Sequence, residues 1–388
     1  MRRRTLLHIA LGIAVVTVPE MAVAGHDLPD SRAGVMVTYH HGDPVTIPGS
    51  FGNLDVTHTF LGGATGPIES TAVGHAPANG GGWTFNNLGG PTTVRLDPDR
   101  GKVLFTPEDA NNYNATRRFD SGAGIDEQRF VYKAHFVRNV LLLDGAPYPW
   151  SYQWKHERVH WLDSVTDSNC EIKVHDWPDA QGPETILTRE DGSDQTFWGG
   201  ARVDSNSGWA MMELMFYTGT RGQSDGKVVT RIFKNGHTYI GQDQQAVQVY
   251  ANGSQKLRYF VEQNYFGNFA QIEFGVDNNS PRPQVREVWS DDSLVIVGRA
   301  PGDGWQRVEL RDAVALQDAT LRVPQSWTTW NGNIQINLNT DGLPPGEHDL
   351  YLVVIDGIDA QGWDVVDTAM PIHVQVDEHP LFADGFEP

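Results

Sequence analysis

The chain has 388 residues, of which 29 are lysine or arginine and 49 are aspartate or glutamate, giving a formal net charge of −20 at pH 7. A body this acidic repels nucleic acids and anionic membranes, and no run of five basic residues offsets the repulsion. The single cysteine, Cys170, excludes an intramolecular disulfide. Only 20% of the residues are charged, whereas 41 are glycine and 12 are tryptophan, a composition that favours an all-β extracellular protein.

Residues 1–24 have the pattern of a signal peptide. Three arginines precede an apolar stretch, Leu6–Val18, that is too short to span a bilayer. The segment Ala22-Val23-Ala24 supplies small residues for cleavage before Gly25. The Arg3-Arg4 pair loosely resembles a twin-arginine signal, but the general secretory route is favoured. The sequence therefore predicts a secreted, periplasmic or cell-surface protein with no membrane span.

Residues 25–53 are predicted to form an N-terminal strand and hairpin that lies against the main body. Within them, His41–Gly52 resembles the opening of immunoglobulin-like IPT/TIG modules, although the rest of such a module is missing. Residues 54–280 are predicted to follow as one domain, because short strand patterns alternate there with turns that contain glycine and aspartate.

The clearest strand pattern of this domain lies within residues 203–240. An apolar run from Met211 to Tyr217 is followed by a second run from Val228 to Phe233. Asp225-Gly226 separates the two runs, and Asn235-Gly236 closes the second one. Two β-rich runs with such turns predict antiparallel hairpins in a large sandwich.

A second domain is predicted after Pro281-Arg282-Pro283, because consecutive X-Pro units favour an extended linker. Residues 284–376 alternate strand and turn patterns, and Leu343–Val354 resembles the penultimate strand of immunoglobulin-like sandwiches, in which a Pro-Gly turn leads into a strand with a buried tyrosine. The tail, residues 377–388, ends in a segment that resembles a short terminal tag of many secreted proteins of Gram-negative bacteria. A frayed terminus is the alternative.

Residues 54–280 also resemble the concanavalin-like jelly rolls, which include legume-type lectins, laminin-G-like modules and several polysaccharide lyases. The resemblance rests on four pieces in this order: Leu54–Phe60 with Gly66–Ile68, Phe130–Ala134, Gln153–Arg158, and Gly208-Trp209 with Asp225-Gly226. It implies an all-β fold, a jelly-roll β-sandwich followed by a smaller Ig-like β-sandwich. It carries over no catalytic residue, because the lyase motifs of this fold are not found in the chain.

The strand from Gln153 to Trp161 is the strongest candidate for a ligand-binding surface. Alternation places Trp154, His156, Arg158 and His160 on one face. Charged residues are costly to bury, so a core-facing position for this row is disfavoured. On a concave sheet the row could bind the carboxylate or sulfate groups of a glycan. The alternative is a solvated outer face whose long side chains cover apolar neighbours.

The same row could also serve a polysaccharide lyase, which needs a group that neutralises the C5 carboxylate of a uronic acid and a base that removes the C5 proton. Arg158 could neutralise the carboxylate, and His156 or His160 could act as the base. Tyr132 and Tyr265 are alternative bases.

Aromatic residues add a second candidate surface, since aromatic faces stack on sugar C–H groups. Tyr148 and Trp150 lie in a proline-stiffened loop and are predicted to form an exposed platform. Glu213 lies alone among methionines, so a satisfied or edge carboxylate is favoured there over a glycosidase acid. No metal or other cofactor is expected, although Asp-rich loops could hold Ca²⁺ weakly.

Three functions remain open on the sequence. The first is a carbohydrate-binding protein that recognises a polysaccharide or cell-surface glycan through a concave sheet. The second is a polysaccharide lyase that acts on an acidic glycan by β-elimination. The third is a non-catalytic structural surface module.

Overall fold

The structure is a computed structural model that describes residues 37–63, 65–78, 83–87, 92–108, 115–120, 128–141, 154–160, 171–176, 184–188, 194–198, 208–217, 226–241, 246–247, 271–277, 286–299 and 303–377. From Thr38 onward the chain forms one compact unit. The described helical structure consists of one turn, α1 (Pro67–Ser70), and a 3-10 turn at Leu316–Asp318. No helix among the described residues is long and apolar enough to cross a membrane. The predicted all-β fold class is confirmed.

The largest sheet, which we call the central sheet, has nine strands. In spatial order they are β15 (His237–Ile240), β14 (Gly226–Lys234), β13 (Ala210–Tyr217), β8 (Phe130–Leu141), β18 (Arg286–Gly298), β6 (Gly101–Glu108) and β5 (Thr93–Asp97), with β16 (Ala246–Val247) beside β14 and β3 (Val56–Phe60) beside β18. Strand β18 pairs with β6 along its first half and with β3 along its second half.

The predicted hairpins of residues 203–240 are confirmed within this sheet. Strands β13 and β14 pair antiparallel, and β14 pairs antiparallel with β15. The turn between β14 and β15 consists of Asn235 and Gly236, whose φ angles are 52° and 72°. Two positive φ angles are what a two-residue type I′ hairpin requires, and asparagine and glycine are the residues that adopt them at least cost.

The second sheet, which we call the outer sheet, has seven antiparallel strands. In spatial order they are β12 (Asp194–Trp198), β11 (Glu184–Thr188), β10 (Glu171–Asp176), β9 (Trp154–His160), β17 (Gln271–Asp277), β7 (Ala115–Asp120) and β4 (Trp83–Asn87). Strand β9 is therefore the fourth of seven, with three strands on each side.

Two further sheets form what we call the C-terminal module. The five-stranded sheet consists, in spatial order, of β1 (Thr38–Tyr39), β23 (Asp364–Val376), β22 (Gly346–Ile358), β19 (Arg307–Arg311) and β20 (Arg322–Gln325), and the two-stranded sheet of β2 (Pro44–Phe51) and β21 (Trp327–Asn337). Buried residues at alternate positions of β2 and β21, such as Ile47 and Ile334, belong to the same apolar cluster as Leu352 of β22. The two sheets thus enclose a common core.

The middle of the central sheet, at β13, is buried on both of its faces. Along β13, Met211 and Met215 alternate with Met212 and Leu214, and all four are at most 2% exposed. The Met211 face shares its apolar cluster with residues of the C-terminal module. The Met212 face is covered as well, as a two-sheet sandwich with the outer sheet requires. Burial on both faces explains why β13 has a continuous apolar run instead of alternation.

The strand pairing departs from the predicted domain boundaries at two places. Strand β18 begins at Arg286 and pairs with β6 and β8 of the central sheet, so this sheet continues past the predicted linker at 281–283 as far as Gly298. At the N-terminus, β1 pairs with β23 and β2 pairs with β21, so the described part of residues 25–53 completes the C-terminal module. Both departures arise from pairing between strands that are distant in sequence, which local composition does not reveal.

The strand predicted within Leu343–Val354 is present as β22. Its tyrosine, Tyr351, is only half-buried, which corrects the expectation of a buried tyrosine. The buried positions around it are Leu350 and Leu352.

Candidate functional site

The predicted ligand-binding row lies on β9, in the middle of the outer sheet. His160 pairs with Glu171 of β10 and with Gln271 of β17. Arg158 pairs with Lys173 of β10 and Glu273 of β17. Directly paired residues of antiparallel strands share one face of the sheet, so the row on β9 continues into both neighbouring strands.

Following the pairing outward gives two polar rows on this face, which we call the polar face. One row contains Thr84, Arg118, Glu273, Arg158, Lys173, Ile186 and Thr196, and the other contains Asp120, Gln271, His160, Glu171, Thr188 and Asp194. With neighbouring strands about 4.8 Å apart, six strands extend for about 24 Å. The polar face is thus a broad surface rather than one strand.

The opposite face of the same strands has a different composition. One row contains Trp83, Phe119, Ile272, Val159, Ile172, Leu187 and Gln195, and the other contains Phe85, Arg117, Phe274, Glu157, Val174, Thr185 and Phe197. A sheet with one apolar and one polar face packs the apolar face on the core and leaves the other toward solvent. By register, Arg158 and His160 belong to the more polar of the two faces.

Two cations stand opposite each other near the centre of the polar face. Arg158 and Lys173 are direct cross-strand partners, and like charges in this position are destabilising. Glu273, on the other side of Arg158, is also paired with Arg118 and so has a cation on each of its flanks. The row thus contains three basic residues and one carboxylate, whereas the adjacent row of His160 contains the three carboxylates of Asp120, Glu171 and Asp194. The Arg158–Lys173 pair itself suits an anionic group of a ligand.

The remaining predicted site residues are only partly placed. Trp154 and His156 lie on β9, but the register with β10 shifts between Val174 and His175 and leaves His156 without a paired residue. The expectation that alternation puts Trp154 and His156 on the face of Arg158 is therefore corrected, because a bulge interrupts the alternation. Tyr148, Trp150 and Tyr265 lie outside the described residues, and their roles stay predictions. The sequence interpretation missed Lys173 and Glu171, although alternation with Ile172 and Val174 in β10 signals a polar face.

Tyr132 and Glu213 are excluded from catalysis by their surroundings. Both side chains are buried in the central sheet, on the face toward the C-terminal module. The Tyr132 hydroxyl donates to Glu213 Oε1 at 2.9 Å, and burial together with the Glu213 carboxylate raises the pKa of Tyr132 well above its usual value. Tyr132 therefore cannot act as a base, and that alternative is wrong.

Glu213 is the satisfied carboxylate that the sequence predicts. Arg322 holds both of its oxygens, with Nη1–Oε2 at 2.7 Å and Nη2–Oε1 at 2.9 Å. Burial would raise the pKa of Glu213, but Arg322 and Arg231 outweigh it and lower the pKa. A carboxylate that stays ionised inside the protein and is held by two arginines cannot donate a proton to a substrate.

Replacing Tyr132 with phenylalanine is expected to lower the free energy of unfolding by about 1–2 kcal/mol, because one buried hydrogen bond is lost while Arg322 still satisfies the carboxylate. Urea unfolding measures the difference. The matched control is Tyr239→Phe on β15, where the tyrosine is exposed and a change within about 0.5 kcal/mol is expected. Equal losses in the two variants would contradict this description of the Tyr132 hydroxyl.

A cavity of about 500 Å³ lies elsewhere, between the loop that follows β2 and the C-terminal module. Phe51 and Trp330 line it, with ring centroids 6.1 Å apart. Three carboxylates also line it, those of Asp303, Asp356 and Asp367, and none of its lining residues is basic. Its charge is therefore opposite to that of the Arg158–Lys173 pair, and it does not suit an anionic ligand.

Metal-binding groups were sought among the described residues. His40 and His41 belong to no such group there, and the side chains of His156 and His160 lie outside the described part of the chain. Asp291, Asp292 and Asp341 are the described group whose carboxylates approach one another closely enough to share an ion. Asp291 and Asp292 lie on β18 of the central sheet, and Asp341 lies in the loop after β21.

No model of a protein family matches the chain, and no curated protein matches it. Solved structures do show similarity. A cellulose-induced protein, Cip1, is 13% identical over 56% of this chain and 91% of its own, with a TM-score of 0.35. Winged bean acidic lectin, in complex with methyl-α-D-galactose, is 9% identical over 63% of this chain and 98% of its own, with a TM-score of 0.38.

The alginate lyase Aly36B is 11% identical over 55% of this chain and 96% of its own, with a TM-score of 0.30. These identities and TM-scores are too low to transfer an activity from any of these proteins to this chain.

Proposed function

We propose that this chain is a secreted protein that binds an acidic polysaccharide on the polar face of its outer sheet. The observation that carries the proposal is the direct pairing of Arg158 with Lys173 beside His160. An arginine binds carboxylate and sulfate groups with two parallel hydrogen bonds, and a lysine beside it adds a second positive charge. A repeating acidic glycan offers such anions at regular intervals along its length.

The extent of the polar face supports a polymer rather than a small molecule. The row through His160 contains carboxylate, amide and hydroxyl residues on five neighbouring strands, in addition to the imidazole. These groups donate to and accept from sugar hydroxyls. The Arg158–Lys173 pair of the adjacent row would hold one acidic sugar unit, and the carboxylates of the His160 row would accept hydrogen bonds from hydroxyl groups of the units on either side.

Replacing Arg158 with glutamine is expected to weaken binding of an acidic oligosaccharide at least tenfold, because a charge-assisted contact contributes about 1.5–3 kcal/mol. The measurement is calorimetric titration with the tightest ligand from a panel of alginate, pectate, glucuronan and glycosaminoglycan fragments. Raising the salt concentration should weaken the binding of the wild type as well, since exposed charges are screened.

Two variants serve as controls. Arg299→Gln removes an exposed arginine at the end of the central sheet, and Asp367→Asn removes an exposed carboxylate in the 500 Å³ cavity. Both should bind like the wild type. No binding across the panel would favour a structural surface module. Equal weakening by Arg299→Gln and Arg158→Gln would mean that net charge, not the polar face, governs the affinity.

The second candidate is a polysaccharide lyase that uses the same face. It is favoured by Arg158 and His160, which occupy alternate positions of β9. The Cα atoms of such positions are about 6.6 Å apart. Arg158 would neutralise the uronate carboxylate, and His160 or His156 would take the C5 proton. The C4–O bond would then break with formation of a C4=C5 double bond, and the departing oxygen would take a proton from water and leave as the hydroxyl group of the new reducing end. Absorbance of the unsaturated uronate measures this product. Binding without any such absorbance leaves recognition as the function.

A further inference from the structure

Three carboxylates converge where the central sheet meets the C-terminal module. Asp291 and Asp292 belong to β18, Asp341 follows β21, and one oxygen from each lies within 4.8 Å of the others. The side chains of Asp291 and Asp292 are 0% exposed, and that of Asp341 is 13% exposed. The group is therefore almost completely enclosed by protein.

A bulge in β18 brings two consecutive aspartates to the same place. The pairing of β18 with β8 shifts register between Asp291 and Leu294. Asp292 has a φ of 48°, in the left-handed region, which costs a non-glycine residue about 1–2 kcal/mol. In a regular strand the two side chains would lie on opposite faces. The irregular backbone therefore brings together two negative charges that repel each other.

The positive charge near these carboxylates does not balance them. Arg100 donates from Nε to Asp291 Oδ2 at 2.9 Å and from Nη2 to Asp292 Oδ2 at 2.5 Å. His41 Nδ1 lies 3.7 Å from Asp341 Oδ1 but accepts the backbone N–H of Thr340. One guanidinium against three carboxylates leaves a deficit of two positive charges among the described groups. An uncompensated buried charge is very costly. A bound divalent cation would supply the positive charge that the cluster lacks.

One oxygen of the group has no hydrogen-bond donor. Asp291 Oδ1 is buried and has no partner among the described residues. A Cβ atom on Gly62 would lie 2.9 Å from this oxygen and 2.6 Å from Asp292 Oδ1, so the two Oδ1 atoms occupy the space beside the Gly62 backbone. Asn339 Nδ2 donates to Asp292 Oδ1 at 2.8 Å and fixes its position. Asp291 Oδ1 therefore lies within the cluster with its lone pairs unused.

We propose that Asp291, Asp292 and Asp341 bind a divalent cation, Ca²⁺, that joins the central sheet to the C-terminal module. The donors are all oxygens, which suit Ca²⁺ rather than Zn²⁺ or Cu²⁺. The irregular arrangement favours Ca²⁺ over Mg²⁺, which demands near-octahedral geometry. The two charges of the ion match the deficit of two. The proposal stands independently of glycan binding.

Calorimetric titration of the chelator-treated full chain with CaCl₂ tests it. One ion per chain should bind, and the thermal midpoint should rise with the logarithm of the Ca²⁺ concentration. Asp341→Asn should weaken Ca²⁺ binding at least tenfold, whereas Asp367→Asn, which removes an exposed carboxylate in the 500 Å³ cavity, should leave it unchanged.

Asp292→Asn separates a cation site from a merely strained acidic cluster. Without Ca²⁺ this variant should be at least as stable as the wild type, because one repelling charge is gone, but Ca²⁺ should no longer raise its midpoint. Absence of heat and of any midpoint shift in the wild type up to about 10 mM Ca²⁺, well above the Kd of about 10⁻⁴–10⁻³ M typical of extracellular modules, would overturn the proposal. A Ca²⁺-dependent rise in the thermal midpoint of Asp341→Asn equal to that of the wild type would also overturn it.

Discussion

Replacing Arg322 with methionine is expected to lower the free energy of unfolding by about 3–5 kcal/mol, because it leaves two buried carboxylates without their shared cation. Arg322 donates to both oxygens of Glu213 in the central sheet, and from Nε and Nη2 it donates to Glu309 of the C-terminal module at 3.0 Å each. Methionine keeps much of the volume, so the loss reports charge and hydrogen bonding rather than a large cavity.

Arg299→Met is the matched control for this prediction, since Arg299 is exposed. It should change the free energy of unfolding by no more than about 0.5 kcal/mol. Urea unfolding of both variants, with the m-value checked for constancy, measures the difference. A loss below about 1 kcal/mol in Arg322→Met would show that the described contacts contribute little to stability.

Arg322 is part of a larger buried network of charged side chains between the central sheet and the C-terminal module. Its charged members, all with fully buried side chains, are Glu213, Arg231, Arg307, Glu309, Arg311, Arg322 and Asp364. Glu213 and Arg231 come from the central sheet and the other five come from the C-terminal module. Removing one partner of such a network is costly, although replacing the whole network with apolar residues need not be. We infer that it fixes the alignment of the two modules.

Lowering the pH below about 4 is expected to destabilise the protein through this network. Burial would raise the pKa of Glu309, but Arg311, Arg322 and Arg307 outweigh it and hold the pKa well below its usual range. Burial would also raise the pKa of Asp364, but the nearby arginines, chiefly Arg231 and Arg307, hold it well below its usual value. Because the folded pKa values lie below the unfolded ones, the two carboxylates stabilise the fold above about pH 4. This stabilisation is lost as the pH falls toward the folded values.

The loss amounts to about 1.4 kcal/mol for each unit by which a pKa is depressed, so several kcal/mol should disappear by about pH 2. Urea midpoints measured between about pH 5 and pH 2 test this, with Glu309→Gln as comparison. The difference in unfolding free energy between wild type and variant should shrink with falling pH, because the wild type loses the same charge. A difference that stays constant over this range would contradict the depressed pKa of Glu309.

The comparison of the wild type with Glu309→Gln also removes the effect of Asp291, Asp292 and Asp341 on the pH dependence of stability. That effect is opposite in sign to the effect of Glu309 and Asp364. Burial and the neighbouring carboxylates raise the pKa values of Asp292 and Asp341 in the folded state. Both groups are therefore protonated in the folded protein at a higher pH than in the unfolded chain, and their protonation stabilises the fold as the pH falls. Wild type and Glu309→Gln share this cluster, and its effect cancels in their difference.

Local patterns were sufficient to predict what is local in this fold. The apolar run at Met211–Tyr217 and the Asn235-Gly236 turn each reflect neighbours within a few residues, and each is found in the described strands. The simple alternation expected along β9 is interrupted by a register shift at His156. Its apolar neighbours favoured a satisfied or edge carboxylate at Glu213, and the structure has the satisfied one. These features depend on strand and turn geometry, which the residue types themselves determine.

The contacts that the sequence did not reveal are those between strands that are distant along the chain. Arg158 and Glu273 are 115 positions apart and meet only because β17 pairs with β9. Glu213 and Arg322 are 109 positions apart and lie in different modules. The bulge that joins Asp291 and Asp292 depends on the partners of β18 on both sides. Register between distant strands has no local signature, so neither the full polar face nor the aspartate cluster could be read from composition.

The position of a bound acidic oligosaccharide in a crystal of the complex tests the proposed binding surface most directly. We expect an anionic group of the sugar to lie within hydrogen-bond distance of Arg158 and Lys173, and the neighbouring sugar units to lie along the row of His160. An oligosaccharide in the cavity beside Phe51 and Trp330, or a polar face covered by another part of the chain, would contradict it.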